Sequence, residues 1–535
     1  MKMVKITILS FGILAIGLSQ TERWIYHYNG PGNLEDGANC IVYGANGNSY
    51  AAGYSTGNST NYDFTVISLD SLGNERWVYR YNGIGDDKDE AYAIVYGEDG
   101  NVYAAGYSGH DIAFTVISLT TNGDERWVYR YDGPATLGAD KANSIVYGSD
   151  GNLYAAGFSE GTSGSIKADF VVISLSTTGD GRWVYRYNGP ASNWDEAYSV
   201  VYGSDDNVYA AGVSYDSAFD FTVISTDSAG SERWVYRYNG PDNGWDYANS
   251  IIYGADGGVY AAGWSEGIGT YADFTVIGLN SIGQRLWLYR HNGLGDYDDW
   301  ANSLICGTDQ GLYAAGRIYN NNEDFALISL NELGFQRWIY DYNGPGDDFD
   351  EAYALTYGAD GNIYAAGVSY DAAYDFTMIA LNADGLQWWV YRYSGPSDEG
   401  GAAYSIDYGE DGNIYIAGRS YGIGTDFDIT VISLNPGSGI QENIVDRINQ
   451  NYILSTKTFQ NQNLTYSLSL PEPATVNLSL YNLQGQKVLA WQINASQGIS
   501  HHEKNLVSIN PGVYYIRAEV LDKGLKVNKK FIVVD

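Results

Sequence analysis

Cysteine is nearly absent, with only Cys40 and Cys306 in 535 residues, which excludes a disulfide framework as the source of stability. Both sit at repeat positions where other copies carry Ala or Ser and Tyr respectively, so they read as thiols filling strand positions. Histidine is almost as scarce: only His27, His110 and His291 precede residue 435, which leaves little for a histidine-dependent triad or metal centre. Basic residues are few. The chain holds 29 Lys+Arg against 64 Asp+Glu, a net charge of −35. The imbalance lies before residue 435, where 57 acidic residues face 20 basic ones, while the remainder holds 7 and 9. Such a field repels nucleic acid and anionic lipid and suits cations or neutral ligands. Long apolar runs are limited to Ile6–Leu18, preceded by Lys2 and Lys5 and followed by Ser19. This reads as a secretory signal peptide over 1–19, too short for a membrane span. No transmembrane segment is expected beyond it. Helical periodicity is missing from everything that follows up to residue 434.

What the chain has instead is one stretch repeated. "ERWVYRYNGP" at Glu232–Pro241 recurs with its tryptophan at Trp24, Trp77, Trp127, Trp183, Trp234, Trp287, Trp338 and Trp389, spaced 50 to 56 residues apart. A period of this size marks stacked supersecondary units. Each copy holds four short strand patterns, which in the second copy are "ERWVYRYNG", "EAYAIVYG", "NVYAAGYS" and "AFTVISL". The middle two are joined by "GEDGN" at Gly97–Asn101, an Asp-Gly hairpin signal. Four antiparallel strands repeated eight times is the signature of a β-propeller. The array opens on a lone Trp strand and ends on three strands, so the strand around Trp24 is expected to complete the last sheet. The fold class is therefore all-β: an eight-bladed propeller over 20–434, closed one plus three. The small residues of Tyr103-Ala104-Ala105-Gly106 are expected where neighbouring sheets approach near the axis. The large rings of the Trp strand are expected outermost. The repeats resemble secreted bacterial β-propeller repeat families of the "A-x-x-I…D-G-N-x-Y…G" kind across residues 22–434.

After Leu434 the chain passes through "NPGSGIQENIVDRINQ", read as a linker over 435–450, into a small β-sandwich over 451–535. Val476, Leu478 and Leu480 alternate there, and "GVYYIRAEV" and "KKFIVV" follow as strands. With Leu470-Pro471, "LYNLQGQKV" at Leu480–Val488, "PGVYYIRAE" at Pro511–Glu519 and "KKFIVV" at Lys529–Val534, this segment resembles the C-terminal sorting domain of type IX secretion. That resemblance implies outer-membrane passage by the type IX machinery, then surface attachment or release, often after tail cleavage.

Segment lengths separate scaffold from candidate site. The gap from the Ala of "EAYAIVYG" to the Tyr of "YAAG" is 12 in all eight copies. From the Phe of "DFTVISL" to the next Trp it is 13 in all seven junctions. Only the gap between "YAAG" and "DF" varies freely, from 11 to 16. Variable loops on a fixed scaffold are where binding usually lives, and they share a face with the loops that follow each Trp strand. Trp194, Trp245 and Trp300 are expected in the loops leading into consecutive blades, and Trp264 in a variable loop between the last two. Rings on such a face, with nearby Asp and Asn, suit a saccharide.

A second pattern is acidic. Asp36, Asp89, Asp140, Asp195, Asp246, Asp299 and Asp350 recur just before the "EAYAIVYG"-type strand, with Gly401 in the eighth copy. Each could cap its own turn. Where carboxylates crowd, at Asp86, Asp87 and Asp89, at Asp296, Asp298 and Asp299, and at Asp347, Asp348 and Asp350, calcium is the alternative, since it takes six to eight oxygens. No other cofactor is expected. "GYSTG", "GFSEG" and "GWSEG" match G-x-S-x-G but lack its strand-to-helix setting. The composite expectation is an exported or cell-surface propeller that binds an extracellular polymer, carbohydrate favoured, or a protein. A polysaccharide hydrolase or lyase using Asp residues of the loop face, or a structural surface protein, is the alternative.

Overall fold

The computed structural model describes residues 21–135, 138–161, 167–437 and, further on, 453–460, 463–470, 473–482, 487–496, 498–505, 512–520 and 525–533. The expected signal peptide and residues 438–450 of the expected linker lie outside them. The chain divides into two compact units, residues 1–440 and 441–535.

The first unit is an eight-bladed β-propeller. Its second blade shows the plan: Glu90–Tyr96, Val102–Ser108, Ala113–Leu119 and Glu125–Tyr131 pair antiparallel in chain order. The first strand of each blade contacts the first strands of both neighbours, and the series returns from the eighth blade to the first. Those eight strands are the inner ring, and the Trp strands are the outer edges. The ring closes as the repeat count requires. The strand Thr21–Tyr28 pairs with Phe427–Asn435, and the order of that sheet runs on through Ile414–Tyr421 to Gly401–Tyr408.

Every inner strand carries a register shift, between Ala91 and Ala93 in the second blade. The shift pushes the Glu90 carbonyl over Gly106, where a Cβ would lie 1.9 Å from that oxygen. The glycine of "YAAG" thus answers a bulge inside its own sheet, rather than the approach of neighbouring sheets that the sequence suggests. A bulge of this kind bends the strand and increases its twist, which suits strands packed around an axis. Ala104 and Ala105 are buried against the inner-strand layer, with Tyr103 beside them.

The outer tryptophans join blade to blade. Each indole Nε1 donates to a main-chain carbonyl in the outer turn of the next blade: Trp77 to Thr121, Trp127 to Thr177, Trp183 to Ser228 and Trp234 to Ser281, all at 3.0 Å. Trp24 reaches Ser71 of the first blade, at 3.2 Å, so the closing strand makes the same link. The turn that receives the ring carries a glycine for two reasons. Gly123 has φ +85°, and a Cβ there would come within 2.7 Å of the Trp77 ring. Seven of these eight rings are half-buried, and Trp389 is fully buried. Half of a ring's roughly 150–250 Å², at about 25 cal/mol per Å², contributes about 2–3 kcal/mol per junction. A tyrosine two places on adds a second tie, Tyr79 Oη donating to Glu125 at 2.6 Å and Tyr185 to Glu232 at 2.7 Å.

The second unit has two sheets. One holds Ile453–Gln460, Asn463–Leu470 and Gly498–Asn505; the other runs Lys487–Ala495, Ala474–Asn482, Gly512–Val520, Leu525–Val533 in spatial order. Val476, Leu478 and Leu480 are buried, the inward side of the alternation read in the sequence.

Candidate functional site

The face formed by the loops after the Trp strands and the variable loops is held together by the recurring aspartates. Asp36, Asp89, Asp140, Asp195, Asp246, Asp299 and Asp350 are all buried. Asp89 accepts from Gly83 N and from Gly109 N, both at 2.8 Å. It thus fastens the loop entering its own blade to the variable loop of that blade. Asp36 does the same with Gly30 N and Thr56 N, and Asp299 with Gly293 N and Tyr319 N. Burial pushes Asp36, Asp89, Asp140, Asp246 and Asp299 up to about 6, against the lowering effect of the donated N–H groups.

The crowded carboxylates have separate tasks. Asp86, Asp296 and Asp347 adopt left-handed backbone angles, φ 54°, 53° and 54°, a conformation Asp and Asn tolerate best among residues with a Cβ. Their side chains accept from Asn82, Asn292 and Asn343 at 2.7–2.8 Å. Asp87 pairs with His110 at 2.6 Å. Asp298 accepts from Ala272 N, Asp348 from Phe349 N, and Asp350 from Gly344 N and Tyr370 N. Among the described residues, no group of three or more His, Cys, Asp or Glu side chains is placed to share an ion. The geometry gives these residues loop-fastening roles.

Trp194, Trp245, Trp264 and Trp300 occupy one sector, blades four to six, though not as the sequence suggests. Trp194 and Trp245 lie in entry loops, immediately before Asp195 and Asp246. Trp264 and Trp300 do not lie in loops: they stand on the strands Val259–Glu266 and Trp300–Cys306. Length variation located the loops correctly but could not say where each strand ends.

On those strands the rings build a ladder. Tyr247 and Trp264 are cross-strand partners, stacked at 4.4 Å and 11°. Trp264 also stacks on Trp300 of the next blade, at 5.6 Å and 14°. Beyond it the Arg317 guanidinium lies 3.9 Å over the Trp300 ring and 5.3 Å from Phe349. The faces of Trp264 are thus engaged by protein rings. Trp194 is tilted against Phe158, and its Nε1 donates to Glu196 at 2.8 Å.

Trp245 differs, being 51% exposed, with Phe219 edge-on to its ring. Beside it in the chain's loop set are two rings that sequence reasoning missed. Tyr271, in the variable loop of blade five, and Tyr297, in the loop entering blade six, are 62% and 52% exposed. Their rings are parallel within 2° at 5.8 Å, and Tyr271 N donates to Asp296 O. The signal that could have found them is position alone: both fall in the two loop classes that face the same way. Arg317 was also missed, although it breaks the repeat as the basic residue following "YAAG".

Residues 458–534 match the family of secretion system C-terminal sorting domains. The tail is therefore a type IX sorting domain, and the protein is destined for the cell surface or the extracellular space. No curated protein matches the chain. Among solved structures it is similar to PorZ, described as an essential bacterial surface component of the type-IX secretion system of Porphyromonas gingivalis, with 11% identity, 91% of this chain and 68% of that one covered, and a TM-score of 0.36. It is similar to a eukaryotic initiation factor at 9% identity, covering 66% and 77%, TM-score 0.40. A Dyadobacter fermentans protein of unknown function gives 9% identity, 78% and 99% coverage, TM-score 0.36. No helix among the described residues is long and apolar enough to cross a membrane.

Proposed function

We propose that the propeller is a binding module delivered by its sorting tail, and that its ligand is an extracellular polymer, a carbohydrate in the first instance. The observation that carries this reading is the exposure of Trp245 and of the Tyr271–Tyr297 pair, in neighbouring loops of blades five and six on the same face. Flat apolar rings bordered by Asn and Asp side chains match a sugar, which offers a C–H face and a rim of hydroxyls. The recurring aspartates of the same face accept main-chain N–H bonds, which favours binding over acid–base chemistry by those residues. The test is a glycan array probed with the purified full chain, with and without calcium. Binding to saccharides that is lost in Trp245→Ala supports the reading, and absence of any glycan signal removes it. We further propose that the tail is a separable module; limited proteolysis is expected to cut first within 435–450 and leave an intact propeller, whereas early cuts inside blades would refute this.

A further inference from the structure

Arg317 stands out among the arginines of the propeller. The repeat arginines are used by the scaffold: Arg80 reaches Asp63, Arg186 reaches Asp169 and Arg290 reaches Asp273, at 2.6–2.7 Å. Arg419, which occupies the same strand position in blade eight that Arg317 holds in blade six, bonds to Glu35 and to Tyr54. Arg317 makes no hydrogen bond among the described residues. Its nearest charge is Glu351, whose Oε2 pairs with Nη1 at 3.7 Å, beyond hydrogen-bond distance, while Asn302 donates to the other oxygen, Oε1, at 2.8 Å. Arg317 is only 9% exposed; its Nε is buried without a partner, as it is in Arg80, Arg290 and Arg419, so what sets Arg317 apart is that its two terminal nitrogens make no hydrogen bond among the described residues. The ring it lies on repeats the pattern, since Trp300 Nε1 is also buried and unpartnered.

A buried guanidinium whose facing carboxylate stands beyond hydrogen-bond distance, beside a buried indole N–H with no acceptor among the described residues, is an expensive arrangement. An unmade bond to a charged group in a low-dielectric setting destabilises more than a neutral one. Nothing in the scaffold requires an arginine here, because Val213 and Val368 fill the same position in blades four and seven. Trp300 and Phe349 hold the guanidinium by its face, which leaves the N–H edge as the part able to bond. That edge matches an oxyanion with two oxygens in one plane.

We propose that Arg317, with the Trp300 indole beside it, is an oxyanion subsite that takes the carboxylate of an acidic sugar at the inner end of the aromatic ladder. This rests on the saccharide-binding reading and specifies its ligand class. A sulfate ester offers the same oxyanion chemistry, and the experiment separates the two sources.

The full chain is titrated calorimetrically with tetragalacturonate, with the same oligomer after carboxyl reduction, and with a sulfated oligosaccharide of equal length. Tetragalacturonate is expected to bind at least about tenfold more tightly than the reduced oligomer, with the preference falling as salt rises. Arg317→Met, which keeps the length and packs between the same rings, is expected to abolish that preference while keeping a cooperative unfolding transition, at a lower melting temperature because Glu351 loses its ion-pair partner. Trp300→Phe is expected to weaken it by a smaller factor. Preferential binding of the sulfated oligomer that is lost in Arg317→Met would keep the oxyanion subsite but assign it to sulfate. Equal binding of acidic and reduced oligomers, or an unaltered acid preference in Arg317→Met, overturns the subsite while the saccharide reading stands. No binding of any oligomer here, with no signal on the glycan array, overturns both.

Discussion

The outer rim and the inner mouth of this propeller follow opposite rules. At the rim the same tryptophan makes the same bond to the next blade from Trp24 to Trp389. At the mouth the position after Asp36 and its counterparts (Gly401 in the eighth blade) is Gly37, Glu90, Lys141, Glu196, Tyr247, Trp300, Glu351 or Ala402, six residue types in eight copies. Both regions are equally well built into strands. Their difference shows that uniformity here marks the contacts a closed ring cannot do without, and irregularity marks positions released from that duty. Blades five and six carry the exposed rings Trp245, Tyr271 and Tyr297 on this face.

The sharpest way to break the comparison is at the closing strand. Removing residues 20–30 strips the last blade of its outer strand and exposes an unpaired edge, so cooperative unfolding of the ring should be lost, as read by calorimetry. A sharp transition that survives would show the rim contacts to be dispensable. Trp234→Ala should cost about 3–5 kcal/mol, through the cavity left and the lost bond to Ser281, measured by denaturant unfolding. Asp246→Ala, which leaves the Gly240 N–H without its acceptor, should cost about 1–3 kcal/mol.

Acidification provides a gentler probe of the same fasteners. An aspartate whose folded-state pKa lies near 6, above its unfolded value of about 4, binds a proton more readily folded than unfolded. Stability is therefore greatest below the unfolded value and falls as pH rises from about 4 through about 6. With five such groups, the melting temperature should be higher at pH 5 than at pH 7, and a lower value at pH 5 would mean that the paired carboxylates of the face dominate instead. Trp245→Ala should sharpen the contrast from the other side. It should leave stability within about 0.5 kcal/mol of the parent while weakening glycan binding at least about tenfold, as a stacking ring at a hot spot does. Chelation should leave the melting curve unchanged, since the crowded aspartates already have hydrogen-bonding partners; a downward shift reversed in Asp86→Asn or Asp89→Asn would restore calcium to that loop.

Repetition is what made the ring readable before any coordinate. The period set the blade count, and the stray strand at Trp24 set the closure. The sorting tail was readable for a different reason, because its short motifs are distinctive in themselves. The mouth was not, since a single sequence shows that Trp264 and Trp300 depart from the pattern but not that they lie on each other. Stacking between neighbouring blades joins residues 36 places apart, and nothing in local periodicity encodes which of two rings will be covered. Tyr271 and Tyr297 were hidden among the 50 tyrosines of the chain, most of them structural. The stacked Arg317, without a hydrogen bond among the described residues, could be found only by following its neighbours.

The pairing of Thr21 with Asn435 also sets an order in time. Each blade but one can form as soon as its four strands exist, from contacts within about fifty residues. The eighth cannot, because its outer strand is made first and its other three last. Joining ends so far apart carries a loop-closure entropy of about 5 kcal/mol, recovered only when the strand registers and Trp24 reaches the first blade. Until that moment the molecule is an open arc with two raw edges, so refolding should end in one slow, late step, and the time spent as an arc is when chains are most able to join one another.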